Sequence, residues 1–421
     1  MLPKNYRERV YAGWLGKCIG VRLGAPVETW TAKEIADNLG EVQDFLPLPL
    51  GKIFKPDDDT AMPMVLIRAL QDFGADVTAE QIGETMLNYL GDQRGTIWWG
   101  GYGVSTEHTA YLNLANGITA PRSGSMAQNG KTIAEQIGGQ IFSDIWGLVA
   151  PNDPGLAADL AARASSVAND GEGIFGGRFV AALNSCAFGE ANPVRLIERA
   201  LAVIPSTSEY ARVVNAVLDF YRAHPDDWRA GYQFLAQHFG YDKYPGMVPI
   251  ISNAGVIVLA LLYGEGSFSR AVQIATNAGW DTDCNAGNVG AIMGVAVGLD
   301  GIEQHWRDAM NDVLVGASVI GARNLMTIPA CADLFASLGE KIAHVEAPIA
   351  PRYPFDYRGA TQGFVAHAQL GEVFLRGAQD GALQIYLRGL KKKGEARAFV
   401  KTYYRANELS ANYYGDRKSV V

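Results

Sequence analysis

Gly279-Trp280-Asp281-Thr282-Asp283-Cys284-Asn285-Ala286, residues 279–286 of 421, sets two aspartates one residue apart ahead of a long run of small and apolar residues. A glycine opens the stretch and helical periodicity starts near Ala286, so it reads as a junction from loop to helix. In extended backbone Asp281 and Asp283 project to the same side, while Thr282 points away and can hold the loop. Asn285 is placed to cap the helix. A second junction of this kind, Asp57-Asp58-Asp59-Thr60, stands more than 200 residues earlier, behind Pro56 and running into a predicted helix over 60–73. One aspartate there is ordinary capping chemistry; three in succession exceed what a cap uses. Carboxylates packed together repel, and they must be partly protonated or hold a cation. Hard divalent cations such as magnesium take oxygen ligands of this type. United by the fold, the two clusters would make a dinuclear metal site. Such a site can orient sugar hydroxyls, polarise a carbon–nitrogen or carbon–oxygen glycosidic bond and activate water.

The rest of the chain bounds this reading. Apolar residues are 48% and charged residues 19%, the balance of a globular protein rather than a disordered one. A net charge of −8 argues against a broad nucleic-acid surface. The charged N-terminus lacks a signal-peptide apolar core, and the most apolar stretch, 248–263, is interrupted by Ser252, Asn253 and Gly255. It reads as a buried core helix, not a membrane span. Cys18, Cys186, Cys284 and Cys331 lie far apart with no paired spacing. That excludes a zinc ribbon and suggests reduced thiols in a cytoplasmic protein.

Helical periodicity dominates from residue 5 to about 340. Helices are expected over 6–19, 60–73, 78–89, 157–166, 193–201, 209–223, 254–263, 269–278, 286–299 and 317–338. Gly287, Gly290, Gly294 and Gly298 fall on or near one helix face and permit close approach of a neighbour. No alternation of long strands with helices is present, so a doubly wound sheet is not expected. The proline-rich stretch 346–354 reads as a linker. Beyond it, 382–388 and 396–404 read as strands joined by the basic turn Gly389-Leu390-Lys391-Lys392-Lys393-Gly394. Two domains are therefore expected: a mainly α domain over 1–345 and a small β-rich appendage over 350–421.

Several motifs, taken together and in order, resemble the ADP-ribosylglycohydrolase family. They are Gly13-Trp14-Leu15-Gly16, Gly20, Leu23-Gly24-Ala25-Pro26-Val27-Glu28, Asp58-Asp59-Thr60 and the stretch from Gly279 to Ala286. The resemblance covers roughly residues 5–340. It implies an orthogonally packed all-helical fold with two magnesium ions, or manganese, at the substrate cleft. Asp58, Asp59, Asp281 and Asp283 match the family's metal aspartates. Asp57 and Cys284 stand where hydroxyl ligands are usual, which makes them further candidate ligands. Glu28 matches the glutamate near the metals, and with Asp59 and Asp283 it forms the expected catalytic set. Val21, Arg22 and Asn169 depart from the common pattern.

Softer candidates surround the expected cleft. Trp99, Gly100, Gly101 and Tyr102 form a glycine–aromatic loop that can cradle a phosphate and stack a base. Ser125, Asn169 and Trp280 are further candidate substrate contacts. The expected activity is metal-dependent hydrolysis of a ribosyl glycosidic bond, on a small ADP-ribosyl compound or an ADP-ribosylated protein. The alternatives are an N-glycosidase of a nucleoside or other ribosyl metabolite, and a non-catalytic ADP-ribose binder. No nucleic-acid or membrane partner is expected.

Overall fold

The pair of helices that organises the molecule is held together by glycines. In this computed structural model, which describes residues 2–48, 52–92, 100–318, 320–346, 353, 355–402, 404 and 408, the helix Tyr6–Gly24 lies antiparallel along the helix Thr282–Val297. A Cβ on Gly16 would stand 2.0 Å from the Gly290 carbonyl oxygen, one on Gly20 1.9 Å from that of Ala286, and one on Gly24 2.3 Å from that of Thr282. Only bare backbone permits this approach. The Gly290 and Gly294 positions return the same constraint from the other side. Gly298 does not share it; it lies beyond the helix, in the left-handed conformation that ends it.

Because the pair is antiparallel, the C-terminal end of the first helix meets the N-terminal end of the second. Glu28 is thereby delivered to Asp281 and Asp283. Two backbone hydrogen bonds fix the junction: Thr29 N–H to the Trp280 carbonyl (2.8 Å) and Trp280 N–H to the Trp30 carbonyl (2.7 Å). The Thr282 hydroxyl donates to the Gly24 carbonyl at 2.9 Å, the loop-holding part read from the sequence.

Around this pair the chain builds a mainly helical structure with a few short strands toward the C-terminus, as expected. The helix Ile250–Tyr263 is buried along its whole length and sits at the centre of the core. Ends follow local chemistry. Thr78 and Gln81 form a capping box ahead of Ala79–Tyr89, Asn192 caps Pro193–Leu201, and Ser208 caps Glu209–Ala223. No helix among the described residues is long and apolar enough to cross a membrane.

Three expectations need correction. The helix expected over 286–299 begins four residues earlier, at Thr282, so Asp281 is its N-cap position and Asp283 lies in its first turn. Asn285 is inside that helix and donates to Asn253 Oδ1 instead of capping. The segment expected as a helix over 317–338 instead contributes a short antiparallel pair, β1 (Val313–Val315) and β2 (Leu325–Thr327), and becomes helical only at Ile328–Ile342. Gly321 in a left-handed conformation and Pro329 in the first helical turn place that late start.

The C-terminal strands are β3 (Phe364–Gln369), β4 (Glu372–Gln379), β5 (Ala382–Arg388) and β6 (Glu395–Val400). The segments flanking the lysine-rich turn do not pair with each other: β5 pairs with β4 and β6 with β3, both antiparallel. Most of the expected linker, 347–352 and 354, lies outside the described residues. Asp312 Oδ2 accepts from the backbone N–H groups of Thr361 (2.6 Å) and Gln362 (2.9 Å), which ties the strand region to the helical part.

Candidate active site

The second acidic cluster is organised by the helix Asp58–Phe73. Asp57 occupies its N-cap and its carboxylate accepts from Asp59 N–H at 3.1 Å. The Asp58 carboxylate accepts from the same N–H at 3.0 Å. The fold brings both clusters together. Oxygens of Glu28, Asp281 and Asp283 lie within 4.8 Å of one another, as do those of Asp57, Asp58 and Asp59, while Asp59, Asp283 and the Cys284 sulfur form a third such group that links the first two.

Burial makes this concentration of carboxylates costly in ionised form. Asp57 is pushed up to about 6, first by burial and then by Asp59. Asp281 also rises to about 6, from burial and then Asp59. Asp58 and Asp283 are pushed well above the usual carboxylate range, again by burial first, then by Asp57 and Glu28 respectively. Oδ1 of Asp281 and Oδ1 of Asp283 are buried without a hydrogen-bond partner. Buried carboxylate oxygens in this condition are uncommon in native proteins. Donor type, spacing and orphaned oxygens all fit a hard divalent cation.

Cys284 lies in the cluster, where its thiol donates to Asp59 Oδ2 at 2.9 Å. Burial, followed by the charges of Asp281 and Asp59, pushes the thiol well above its ordinary value, so the group is a donor in this arrangement. Trp280 takes a packing place rather than that of an open substrate stacker. Its indole is 8% exposed and stacks on Tyr241 with centroids 5.0 Å apart and planes at 19°. Its φ of +68° is strained for a bulky residue and aims the following Asp281.

The other candidates are placed as follows. Trp99 lies outside the described residues. Gly100 and Gly101 have φ near +90°, and Gly101 N–H donates to His108 Nδ1 at 3.0 Å, so the loop is fastened to the start of the helix Thr106–Ala115. Tyr102 is 56% exposed. Ser125 caps the short helix Met126–Asn129. Asn169 donates to the carbonyls of Ala134 and Gln136, while its Oδ1 is buried without a partner.

Two groups escaped the sequence reading. Glu107, on Thr106–Ala115, is buried and pushed up to about 7 by burial, with Asp59 and Asp281 adding to the rise. A Cβ on Gly138 would stand 1.8 Å from its Oε1, so the glycine makes room for the carboxyl. Glu107, Asn169, Ser143 and Ser165 line a cavity of about 20 Å³, the space of about one water. The second group is Lys17, fully buried, whose ammonium lies 2.7 Å from Asp59 Oδ1, 3.0 Å from Asp144 Oδ2 and 2.8 Å from the Ile141 carbonyl. Burial opposes its charge, but Asp144 and Asp59 outweigh that and raise it above its ordinary range.

The helical domain thus brings two acidic helix N-termini together with a glutamate. A profile described as ADP-ribosylglycohydrolase matches residues 2–341, and the chain belongs to that family. An uncharacterized protein of Archaeoglobus fulgidus is 25% identical over 310 residues, spanning 71% of this chain and 90% of that one. A solved structure described as an ADP-ribosylglycohydrolase-related protein complex shares the fold, with a TM-score of 0.53 and 19% identity over 80% of this chain and 99% of that one. Family membership supports a glycohydrolase.

Proposed function

We propose that this protein hydrolyses the glycosidic bond between a ribose and its leaving group in an ADP-ribosyl compound, small or protein-bound, in the presence of magnesium or manganese. The observation that carries the reading is the convergence of Glu28, Asp281 and Asp283 with Asp57, Asp58 and Asp59, together with the two orphaned aspartate oxygens. Glu28, Asp281 and Asp283 would hold one cation and Asp57, Asp58 and Asp59 a second, with Cys284 adjoining both. When bound, the cations supply Lewis acidity toward the ribose diol and neutralise the carboxylates.

The chain's own groups do the rest. Glu28, half-buried at the end of the first helix, takes a proton from the attacking water. The water oxygen bonds to the anomeric carbon, the bond to the leaving group breaks, and the leaving group takes up a proton. Asp59 and Asp283 would hold the reacting ribose in register, and Glu107, whose carboxyl burial raises to about 7, would return a proton to the leaving group. Asn169 and the Gly100–Tyr102 loop contribute to the substrate side of the cleft.

The test has two arms. Asp281→Asn and Asp283→Asn are titrated with Mg2+ by calorimetry, and affinity should fall at least about tenfold. The wild-type protein with Mg2+ is then offered ADP-ribosylated peptides, ADP-ribose derivatives and nucleosides. Release of ADP-ribose supports the proposal, and release of ribose from nucleosides alone redirects it to an N-glycosidase. Binding of ADP-ribose with no product from any member of the panel makes the protein a binder and sinks the enzymatic reading.

A further inference from the structure

One sulfur stands among the oxygens of the acidic centre. A carboxylate oxygen of Asp59, one of Asp283 and the Cys284 sulfur lie within 4.8 Å of one another, and all three residues are buried. Helix starts hold them there. Asp59 lies in the first turn of Asp58–Phe73, and Asp283 and Cys284 are successive residues in the first turn of Thr282–Val297. A helix N-terminus favours negative charge, on a carboxylate or a thiolate alike. Lys17 takes Asp59 Oδ1, and Oδ2 faces the sulfur at 2.9 Å. Asp283 presents an oxygen, Oδ1, that is buried with no hydrogen-bond partner among the described residues. Packing accounts for a small buried residue at 284, but not for a sulfur turned onto one carboxylate beside an orphaned oxygen of another.

The spacing suits a tetrahedral ion. Zinc holds a thiolate sulfur at about 2.3 Å and a carboxylate oxygen at about 2.1 Å, so its tetrahedron sets the two about 3.6 Å apart. The 2.9 Å between Cys284 Sγ and Asp59 Oδ2 and the 4.8 Å bound on the whole group bracket that separation. Two oxygens and one sulfur leave the fourth position open for water, which is the pattern of catalytic rather than structural zinc.

We propose that Asp59, Asp283 and Cys284 form a site for one borderline-soft divalent cation of the zinc type. Binding breaks the S–H bond, forms a metal–sulfur bond and releases the proton to solvent, with no change of oxidation state. Thiolate ligands select such ions, whereas carboxylates alone suit magnesium and manganese. The inference deepens the metal reading given above and rests on it. Asp59 also belongs to the Asp57–Asp58–Asp59 group and Asp283 to the Glu28–Asp281–Asp283 group. An ion held at the sulfur therefore withdraws one donor from each group and competes with hard cations at both.

The experiment uses the full chain, stripped with a chelator, and Co2+, Zn2+ and Mn2+ as probes. One equivalent of Co2+ should give a sulfur-to-metal charge-transfer band in the near ultraviolet. One equivalent of Zn2+ should release Mn2+ from the loaded protein, read as the free-ion signal in electron paramagnetic resonance. Zinc outbinds manganese at most sites, so the deciding comparison is with a variant that lacks the sulfur. Cys284→Ser should lose the band, bind Zn2+ at least about tenfold more weakly by calorimetry and keep its Mn2+. Where Cys284→Ser fails to fold, Cys284→Ala is measured in its place. A wild type that binds Mn2+ but gives no band with Co2+ overturns the proposal and leaves the hard-cation reading standing. A band that survives in the variant belongs to Cys18, Cys186 or Cys331 and overturns it too, as does an unchanged affinity for Zn2+. A wild type that takes up none of the three ions overturns the metal reading and, with it, this inference.

Discussion

Gly20→Ala tests whether the glycine-lined helix pair sets the geometry of the site. The added Cβ would stand 1.9 Å from the Ala286 carbonyl oxygen, 2.3 Å from its carbon and 2.7 Å from Gly287 N, all backbone atoms. No side-chain rotation relieves this. To reach even a tight contact of about 3 Å the helices must part by roughly 1 Å at this step. The Gly16–Gly290 and Gly24–Thr282 steps flank it on the same pair, so the separation spreads along the interface. Alanine gains about 1 kcal/mol over glycine as a helix former. Overpacking a buried contact costs about 1–3 kcal/mol and more where only backbone can yield, so the clash should win, with a net loss of about 2 kcal/mol. Gly155→Ala is the control. It lies in the helix Pro154–Ser165, and a Cβ there meets only Asp153 Oδ1 at an ordinary 3.6 Å. That change should leave stability unaltered or raise it by up to about 1 kcal/mol. Guanidinium unfolding and thermal melts of both variants supply the stability comparison, and Mn2+ titration reads the site, because parting the helices moves Asp283 from Glu28. A Gly20→Ala protein as stable as wild type, with unchanged Mn2+ affinity, would refute the claim that this contact positions the carboxylates.

Two further predictions follow from the raised carboxyls. Asp57 and Asp281 titrate near 6 in the fold against 3.8 when unperturbed, so the folded state binds more protons than the unfolded state between those values. Stability of these groups is full below about 4 and is lost as pH rises through 6. In a chelator the melting temperature should therefore fall between pH 5 and pH 8, and Mg2+ should restore more of it at pH 8 than at pH 5; a chelated protein that melts higher at pH 8 contradicts the electrostatic account. Glu107 rises from 4.5 to about 7 through burial, so Glu107→Gln should stabilise the chelated protein at pH 8 by up to about 3 kcal/mol and change little at pH 5. In turnover the same variant should lose the limb of the pH–rate profile near 7, and a limb that survives removes Glu107 from the proton transfers.

The contrast between what the sequence disclosed and what it hid has a physical basis. Asp57–Asp59 and Asp281–Asp283 stood out because each violates a local expectation: too many carboxylates at a helix start for capping alone. The glycines at 287, 290 and 294 were legible for a similar reason, since repeated glycine inside a helix weakens it unless a neighbour presses close. The helix bounds 193–201 and 209–223 followed from caps that act within four residues. Lys17 and Glu107 break no local rule. A lysine in a helix and a glutamate in a first turn are ordinary, and their partners lie far along the chain: Asp59 at 42 residues and Ile141 at 124 residues from Lys17. The strand pairing was hidden likewise, because β6 finds β3 across the β4–β5 hairpin and not the strand beside it. One sequence signal for Lys17 does exist. Every residue from Val10 to Val21 on the first helix is buried, and the antiparallel glycine contacts require that face to be enclosed. A charge that must sit on an enclosed face needs an opposite charge beside it, and a chain with two surplus carboxylate clusters supplies one. The glycines that close the helix pair and the aspartates that collect at its end thus act together: close backbone approach shuts out water, and in that enclosed place Lys17 is kept charged by Asp59 and Asp144.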